Sequence, residues 1–430
     1  MATRSRDLLE SLFRSAVAAA HPSRCLPPRL PEPPARGRLI VLAAGKAAGS
    51  LTEVAEAHYL ARLPQDRLSG IAVTRHGYGR PTKLIPVVEA GHPVPDEAGL
   101  AGAEKMLTIA DAAGADDLVL VLLSGGASAN LIAPAPGISF ADKQAATRAI
   151  LRSGANIGEF NCVRKHLSRI KGGRLTKHAH PAKVVTLAIS DVPGDDPAVI
   201  GSGPTVPDPT TLADARAVVA KYRLDLPQAV IHALDNPGNE SPKPGDAAFA
   251  KTEYRILARP ADALAAAQAR AQEAGYDCVI LGVRLQGEAR EVAAAHARLA
   301  RDYAAQSRRI VILSGGELTV TLRGNGQGGP NQEYALALAI HLDGAKGIAA
   351  MAADTDGTDG GRGRPDDPAG AFIDETTLIR ARTAGLDPAA FLADNNSTGF
   401  FNGIGDLFVP GPTFTNVTDF RAIVVDTPVS

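Results

Sequence analysis

Lys46 stands in VLAAGKAAGS (41–50), after an apolar strand-like run and at the opening of a small-residue, helix-prone stretch. An ammonium beside the free amides of a helix start offers phosphate both a point charge and hydrogen-bond donors. The GxxxxGK[ST] loop of Walker type is absent, and the plainer reading is a surface lysine. A second anion-binding feature is written twice. LVLLSGG (120–126) and IVILSGG (310–316) are apolar runs that stop on Ser-Gly-Gly. The first leads into the small-residue loop SGGASANLIAPAPG (124–137), which makes Ser124, Gly125, Gly126 and Ser128 candidate phosphate contacts. The second lies between two strand-like runs, the later one at 317–322, and reads as a hairpin or strand-to-strand turn.

In SGANIGEFNCVRKHLSRIKGGRL (153–175), Arg164, Lys165, His166, Arg169, Lys171 and Arg174 crowd eleven positions. Basic charge so concentrated in an otherwise neutral chain suits a small polyanionic ligand. At helical spacing these residues cannot share one face, and a solvated basic helix would have the same composition. Asn161 could cap that helix or bond a substrate hydroxyl. AISDVPGDDPAVIGSGPTVPDPTT (188–211) places Asp191, Asp195 and Asp196 just past another strand-like run. Carboxylates at a strand's end can hold Mg²⁺ or act as a general base, whereas a Pro/Gly turn accounts for Pro193-Gly194 but not for three acids. MAADTDGTDGG (351–361) repeats the pattern with Asp354, Asp356 and Asp359, without the glutamate and spacing of an EF-hand loop.

RGNGQGGPNQEYALALAI (323–340) formally holds GxGxxG in Gly324, Gly326 and Gly329, with Asp354 ending the next strand. A dinucleotide fingerprint has this form. Against it stand the hairpin-like turn before the loop and an acid cluster better suited to metal than to a ribose. His178 and His180 have no third ligand nearby and read as a surface loop.

The elements that must position these groups alternate. Strand-like runs at 38–44, 70–74, 84–90, 118–123 and 183–189 are separated by helical patterns such as 47–62, 96–114 and 140–154. Such alternation predicts parallel βαβ units with functional loops at the strands' C-terminal ends. The linker-like DNPGNESPKPGD (235–246) divides an N-terminal domain, 1–235, from a C-terminal one, 236–430. Lys plus Arg total 45 and Asp plus Glu 46, which argues against a global nucleic-acid or membrane-surface role. Three scattered cysteines fit a reducing compartment and exclude a disulfide framework. Leu8, Leu9, Leu12, Phe13 and Val17 space out an amphipathic helix rather than a targeting peptide. With no long apolar window, the expectation is a cytoplasmic protein.

At these motifs the sequence resembles the glycerate 2-kinases that carry a C-terminal MOFRL (multi-organism fragment with rich leucine) domain. The matching words are AAGKAA (43–48), GHPVPDE (91–97), LSGGASA (123–129), the basic segment at 153–175 and ISDVPGDDPAVIGSGPTVPD (189–208). QGEARE (286–291), LSGGELTVTL (313–322), AADTDGTDGG (352–361) and GDLFVPGPTFTNVTD (405–419) extend the match over nearly the whole chain. The resemblance implies an α/β protein: a doubly wound Rossmann-like domain, a second α/β domain with its MOFRL region at about 308–420, and an active site in the cleft between them. It implies ATP-dependent phosphorylation of D-glycerate at its 2-hydroxyl, with Mg²⁺. Some relatives are labelled hydroxypyruvate reductases, so an NAD(P)H-dependent reductase is the alternative, and a non-catalytic sugar-acid sensor a third.

Under this reading Lys46 meets the transferring phosphoryl group and Asp191 is the base. Ser124, Gly125, Gly126 and Ser128 cradle phosphate, joined by Gly326, Gly328 and Asn331. Asn161, Arg164 and Lys165 bind glycerate or phosphates, and Asp195 or Asp356 holds Mg²⁺. The expected partners are small molecules alone, in a homodimer. One departure stands out: where the family's glycine loop often reads GGRN, this chain has Pro330, so Arg323 or Arg164 substitutes for that arginine or it is dispensable.

Overall fold

The computed structural model describes residues 2–192, 194–361 and 364–426. They form two compact units, one of Cys25–Leu257 and one that joins the segment through Arg24 to the chain from Ala258 onward. In the first unit β1 (Leu39–Ala44), β2 (Leu68–Arg75), β3 (Val87–Ala90), β4 (Leu118–Leu123), β5 (Lys183–Ile189) and β6 (Thr252–Ala258) make one sheet, in the order β3-β2-β1-β4-β5-β6. Pairing is parallel from β3 through to β5. β1 and β4 are buried along their whole length, which is why both read as unbroken apolar runs. Strand order reverses between them, and Ala44 lies opposite Leu123 at their C-terminal ends. A reversal of this kind opens a crevice beyond the sheet edge, where doubly wound folds bind ligands.

The helices behind this edge start where their caps dictate. Ser139 and Asn156 each accept the N–H three residues on, from Asp142 and Glu159, whose carboxylates reach back to the cap amides. The resulting helices, Phe140–Arg152 and Ile157–His166, carry much of the cationic charge of the site.

The second unit holds β7 (Asp277–Gly282), β8 (Arg309–Gly316), β9 (Ile348–Asp354), β10 (Gly370–Ile373), β11 (Leu407–Phe408) and β12 (Asp419–Asp426), ordered β11-β10-β9-β12-β8-β7. Only β7 and β8 run parallel; the last strand, β12, inserts antiparallel between β8 and β9.

Two expectations change. Residues 317–322 form no strand, only a single bridge between Thr319 and Glu288. The second Ser-Gly-Gly is therefore no hairpin: it is the end of β8, with Ser314, Gly315 and Gly316 opposite Arg421, Phe420 and Asp419 of β12. Its physical reason is a buried cation. The Arg421 guanidinium donates to the carbonyls of Gly315 and Gly316 at 2.8 and 2.9 Å and pairs with Asp419. The compact units also part after Leu257 rather than at 235. β6 is the edge strand beside β5, so the residues leading to it stay with the first unit. The amphipathic helix Ala2–Ala20 forms as expected but belongs to the second unit, where Phe13 packs edge-on against Phe408 and Phe420.

Candidate active site

Gly45 leaves β1 with φ +113°, and a methyl group there would collide with the Ser124 and Gly125 carbonyls. That close approach lets the two loops bind each other. The Lys46 amide donates to the Gly125 carbonyl at 2.8 Å, and the Ala47 amide donates to the Ser124 hydroxyl at 2.9 Å. Ser124 is fully buried. Its hydroxyl is therefore a strut that sets the Lys46 turn, where the sequence suggested a phosphate contact. Gly126, at φ +83°, is the meeting point: a methyl there would lie 3.0 Å from the His92 ring and 3.1 Å from Lys46 Cγ. The stem of Lys46 and the imidazole of His92 thus flank one bare glycine at the switch point of the sheet.

Beside it lies a cavity of about 300 Å³, lined by His92, Gly126, Ser128, Lys143, Arg164 and Lys171 with apolar Ile132 and Ala133. The Ser128 hydroxyl meets that of Ser202 at 2.8 Å. Arg164 and Asn161 also reach the Ser202 hydroxyl, each at 3.4 Å. Ser202 holds φ +63°, an uncommon backbone for serine, between Gly201 and Gly203. Three of the expected ligand-facing residues, Ser128, Asn161 and Arg164, are thereby brought together. The Arg164 guanidinium also covers the Phe160 ring at 4.0 Å, and burial brings its pKa down to about 10.

Lys165 goes elsewhere. Its ammonium pairs with Asp208 at 3.3 Å, both side chains nearly inaccessible, and it does not line the cavity. Successive helical residues point about 100° apart, and here that step sends Arg164 to Ser202 and Lys165 to Asp208. The sequence role of Lys165 as a substrate ligand gives way to a structural ion pair.

The acids after β5 lie outside this cavity too. Asp191 is half-buried, Asp195 sits at φ +55°, and Asp196 accepts the Ala198 amide at 2.8 Å. Burial, then the charges of Asp196 and Asp191, raises the Tyr254 hydroxyl well above the ordinary tyrosine range. Among the described residues no three of His, Cys, Asp and Glu gather as a metal cage. The donor chemistry of Asp191 and Asp195 does fit Mg²⁺ carried on substrate phosphates, which needs only one or two protein carboxylates.

In the second unit the glycine loop is folded onto its own scaffold. The amides of Arg323 and Gly324 donate to the Asn395 side chain, that of Asn325 to the Asp394 carboxylate, and that of Gly326 to the Asp394 carbonyl. Gly326 thus has its donor occupied. Gly328 and Gly329 abut Ser397 and Asp359 so closely that no side chain would fit. Asn331 is buried, donating to Asp359 at 3.1 Å and to Asp419 at 2.7 Å. Asp356 is buried as well, and accepts the Thr358 amide and hydroxyl. These positions hold the loop's shape, and no strand precedes it as a dinucleotide fingerprint requires. Pro330 occupies the first turn of the helix Pro330–Leu342, where a missing N–H costs nothing.

Comparison with known proteins sets this geometry in a lineage. Residues 8–235 match the model described as "Domain of unknown function (DUF4147)", and residues 310–419 match the MOFRL family. A "Putative hydroxypyruvate reductase" of Agrobacterium vitis is 49% identical over 427 residues, covering 98% of this chain and 94% of that protein. A "D-glycerate 2-kinase" of Thermotoga maritima is 37% identical over 419 residues, covering 96% and 97%. The crystal structure of a glycerate kinase from Thermotoga maritima superposes with a TM-score of 0.85 at 35% identity, covering 98% of this chain and all of that one. The chain belongs to the glycerate 2-kinase family with a MOFRL region.

Within this family frame, the residues that the sequence reading left without a role are His92, Lys143 and Ser202. His92 lies in GHPVPDE, a family word, so a signal existed. Ser202 lies in ISDVPGDDPAVIGSGPTVPD (189–208), another of the family words, so a signal existed there too. Lys143 is one lysine on an amphipathic helix and carried no signal at all. Among the described residues no helix is long and apolar enough to cross a membrane.

Proposed function

We propose that this chain is an ATP-dependent glycerate 2-kinase. The observation that carries the reading is the convergence of Lys46, His92 and the Gly126 turn beside a cationic cavity at the switch point of a parallel sheet. The 2-hydroxyl oxygen of D-glycerate attacks the γ-phosphorus of ATP, the bond to the ADP oxygen breaks, and the products are 2-phosphoglycerate and ADP. Lys46 meets the charge that spreads over the transferring oxygens. His92, which lines the cavity, accepts the hydroxyl proton, a role the sequence assigned to Asp191. Asp191 and Asp195 would hold Mg²⁺, which supplies charge neutralisation on the nucleotide phosphates.

The reductase alternative lacks support at both places where a dinucleotide could dock. The β1 turn has Gly45 and Lys46 in place of the three-glycine fingerprint, and the amides at the head of the glycine loop are used internally. The test is incubation with ATP, Mg²⁺ and D-glycerate, with NMR of the product isomer. 2-Phosphoglycerate should form, and Lys46→Met should lower kcat by on the order of 10²–10⁴ with the fold intact. NAD(P)H oxidation by hydroxypyruvate without phosphoglycerate formation would overturn the reading.

A further inference from the structure

Positive φ is uncommon outside glycine, and several instances in this chain have an ordinary cause. Arg223, Ser307 and Asp343 adopt it just past the helices Leu212–Lys221, Ala289–Ala305 and Pro330–Leu342, where a chain leaving a helix commonly turns left-handed. Ser202 closes only the three-residue turn Ile200–Ser202, and it has company. Gly201, Ser202 and Gly203 hold φ of +60°, +63° and +59° in succession. Serine avoids this region because Cβ crowds the following carbonyl. Here the backbone has no alternative. The Ser202 and Gly203 amides donate to the Val199 and Ile200 carbonyls at 2.9 and 3.0 Å, and their own carbonyls accept the Gly172 and Gly173 amides at 3.0 and 2.8 Å. A third glycine would make the same four bonds without strain. The reason for serine therefore lies in its side chain.

That side chain is fully buried and joins two elements of the cavity wall. The Ser128 hydroxyl lies 2.8 Å from it, with the Arg164 guanidinium and Asn161 Oδ1 each at 3.4 Å. A serine hydroxyl has one proton to give and two lone pairs to offer. Giving the proton to Asn161 Oδ1 leaves one lone pair for Arg164 and one for Ser128, so three contacts use its whole capacity. Ser128 belongs to the short helix Ala127–Asn130 that follows the Gly126 turn, and Arg164 to the helix Ile157–His166. Both line the cavity beside His92, and Ser202 is not on that wall. Arg164 also covers the Phe160 ring, which offers it a face but no oxygen to aim at.

We propose that Ser202 is a positioning residue: its strained turn fixes a buried hydroxyl that aims Ser128 and Arg164 into the cavity. The chain gives up stability at this turn for a fixed geometry on the wall. The reaction that this geometry serves rests on the kinase reading; the strained hub itself does not. Two substitutions separate a positioning serine from a merely structural one. Glycine relieves the strain and alanine keeps it, while neither carries the hydroxyl.

The test compares Ser202→Gly with Ser202→Ala in the full chain, by thermal melting, by kinetics with ATP, Mg²⁺ and D-glycerate, and by the NMR signal of the Arg164 Nε–H. Ser202→Gly should melt about 2–4 °C above Ser202→Ala, the effect of removing one strained Cβ from a unit of this size. Both should nevertheless lower kcat/KM for D-glycerate by on the order of 10–100-fold, as misplaced contact groups do. Both should also move or broaden the Arg164 signal, which is assigned from its loss in Arg164→Met. Adding Ser202→Gly to Arg164→Met should cost clearly less than Ser202→Gly costs alone, because the group being aimed is already gone. Wild-type kcat/KM in Ser202→Gly with loss in Ser202→Ala would make the serine structural and overturn the proposal. So would equal melting temperatures, an unmoved Arg164 signal, or a full additive loss in the Arg164→Met background. A wild type that makes no phosphoglycerate would refute the kinase reading, and the melting order and the Arg164 signal, which need no substrate, would still decide the role of Ser202.

Discussion

Asp359 shows what a residue does that sequence could flag but not interpret. The acid cluster at 351–361 suggested metal, yet the carboxylate is 3% exposed and accepts the amides of Asn331 and Gln332 at 3.1 and 2.9 Å. It caps the start of the helix Pro330–Leu342. Burial raises its pKa to about 7, against the partial relief of those amides. The raised value means that the folded state binds this proton more tightly than the unfolded chain does. Stability from this group is therefore greatest below the unfolded carboxylate range and is lost as pH rises to about 7. Asp359→Asn mimics the protonated form. The stability difference between wild type and variant, measured by denaturant unfolding, should move in the variant's favour between roughly pH 4 and 7 and stay level above it. A difference independent of pH would show that Asp359 is already ionised at acid pH. Lys46 and Arg164 were legible because type and neighbourhood agreed; Lys165 was not, because a one-residue step on a helix redirects a side chain and only the fold says where.

At the scale of elements, the repeated Ser-Gly-Gly shows why identical words acquire different duties. One follows a parallel strand at a switch point and turns; the other continues an antiparallel ladder and ends under a guanidinium. Neighbouring strands decide this, and the insertion of β12 beside β8 joins residues more than a hundred positions apart. Ser124→Ala removes the acceptor of the Ala47 amide and should cost about 1–3 kcal/mol of stability together with a clear loss of kcat, since the Lys46 turn depends on it. Ser314→Ala should be mild, because Arg421 reaches that hydroxyl only at 3.4 Å and keeps its two carbonyls. Melting curves and kinetics on the pair check the distinction. Equal losses of kcat in both folded variants would mean that the second copy also serves the reaction. The alternation of β and α, and all five parallel strands of the first sheet, were readable from apolar runs bounded by breakers. The order of the second sheet was not, because its key pairings are long-range.

For the molecule as a whole, a formal charge of −1 coexists with a cavity wall that carries Lys143, Arg164 and Lys171, so composition argued against a global nucleic-acid role without revealing this local concentration of basic residues. Chain order is an equally poor guide to which unit a segment belongs to. The helix Ala2–Ala20 announced itself by its apolar stripe, but a stripe has no address; any exposed apolar face of the right shape could receive it. In the structure Leu9, Leu12, Phe13 and Ala16 are buried, and Arg6 pairs with Asp406 at 3.2 Å. The receiving surface is the one containing Phe372, Phe408 and Phe420, all from the distant end of the chain. Phe13 sits edge-on to two of these rings, with centroids 5.0 and 5.8 Å away. Phe13→Ala should therefore destabilise the unit built on β7–β12 by about 3–5 kcal/mol, the usual effect of emptying a buried aromatic site. Hydrogen exchange read by mass spectrometry should show protection falling in β9 and β12, while β1 and β4 hold theirs. Earlier loss in β1 and β4 than in β9 and β12 would place the helix's stabilising contacts in the first unit instead.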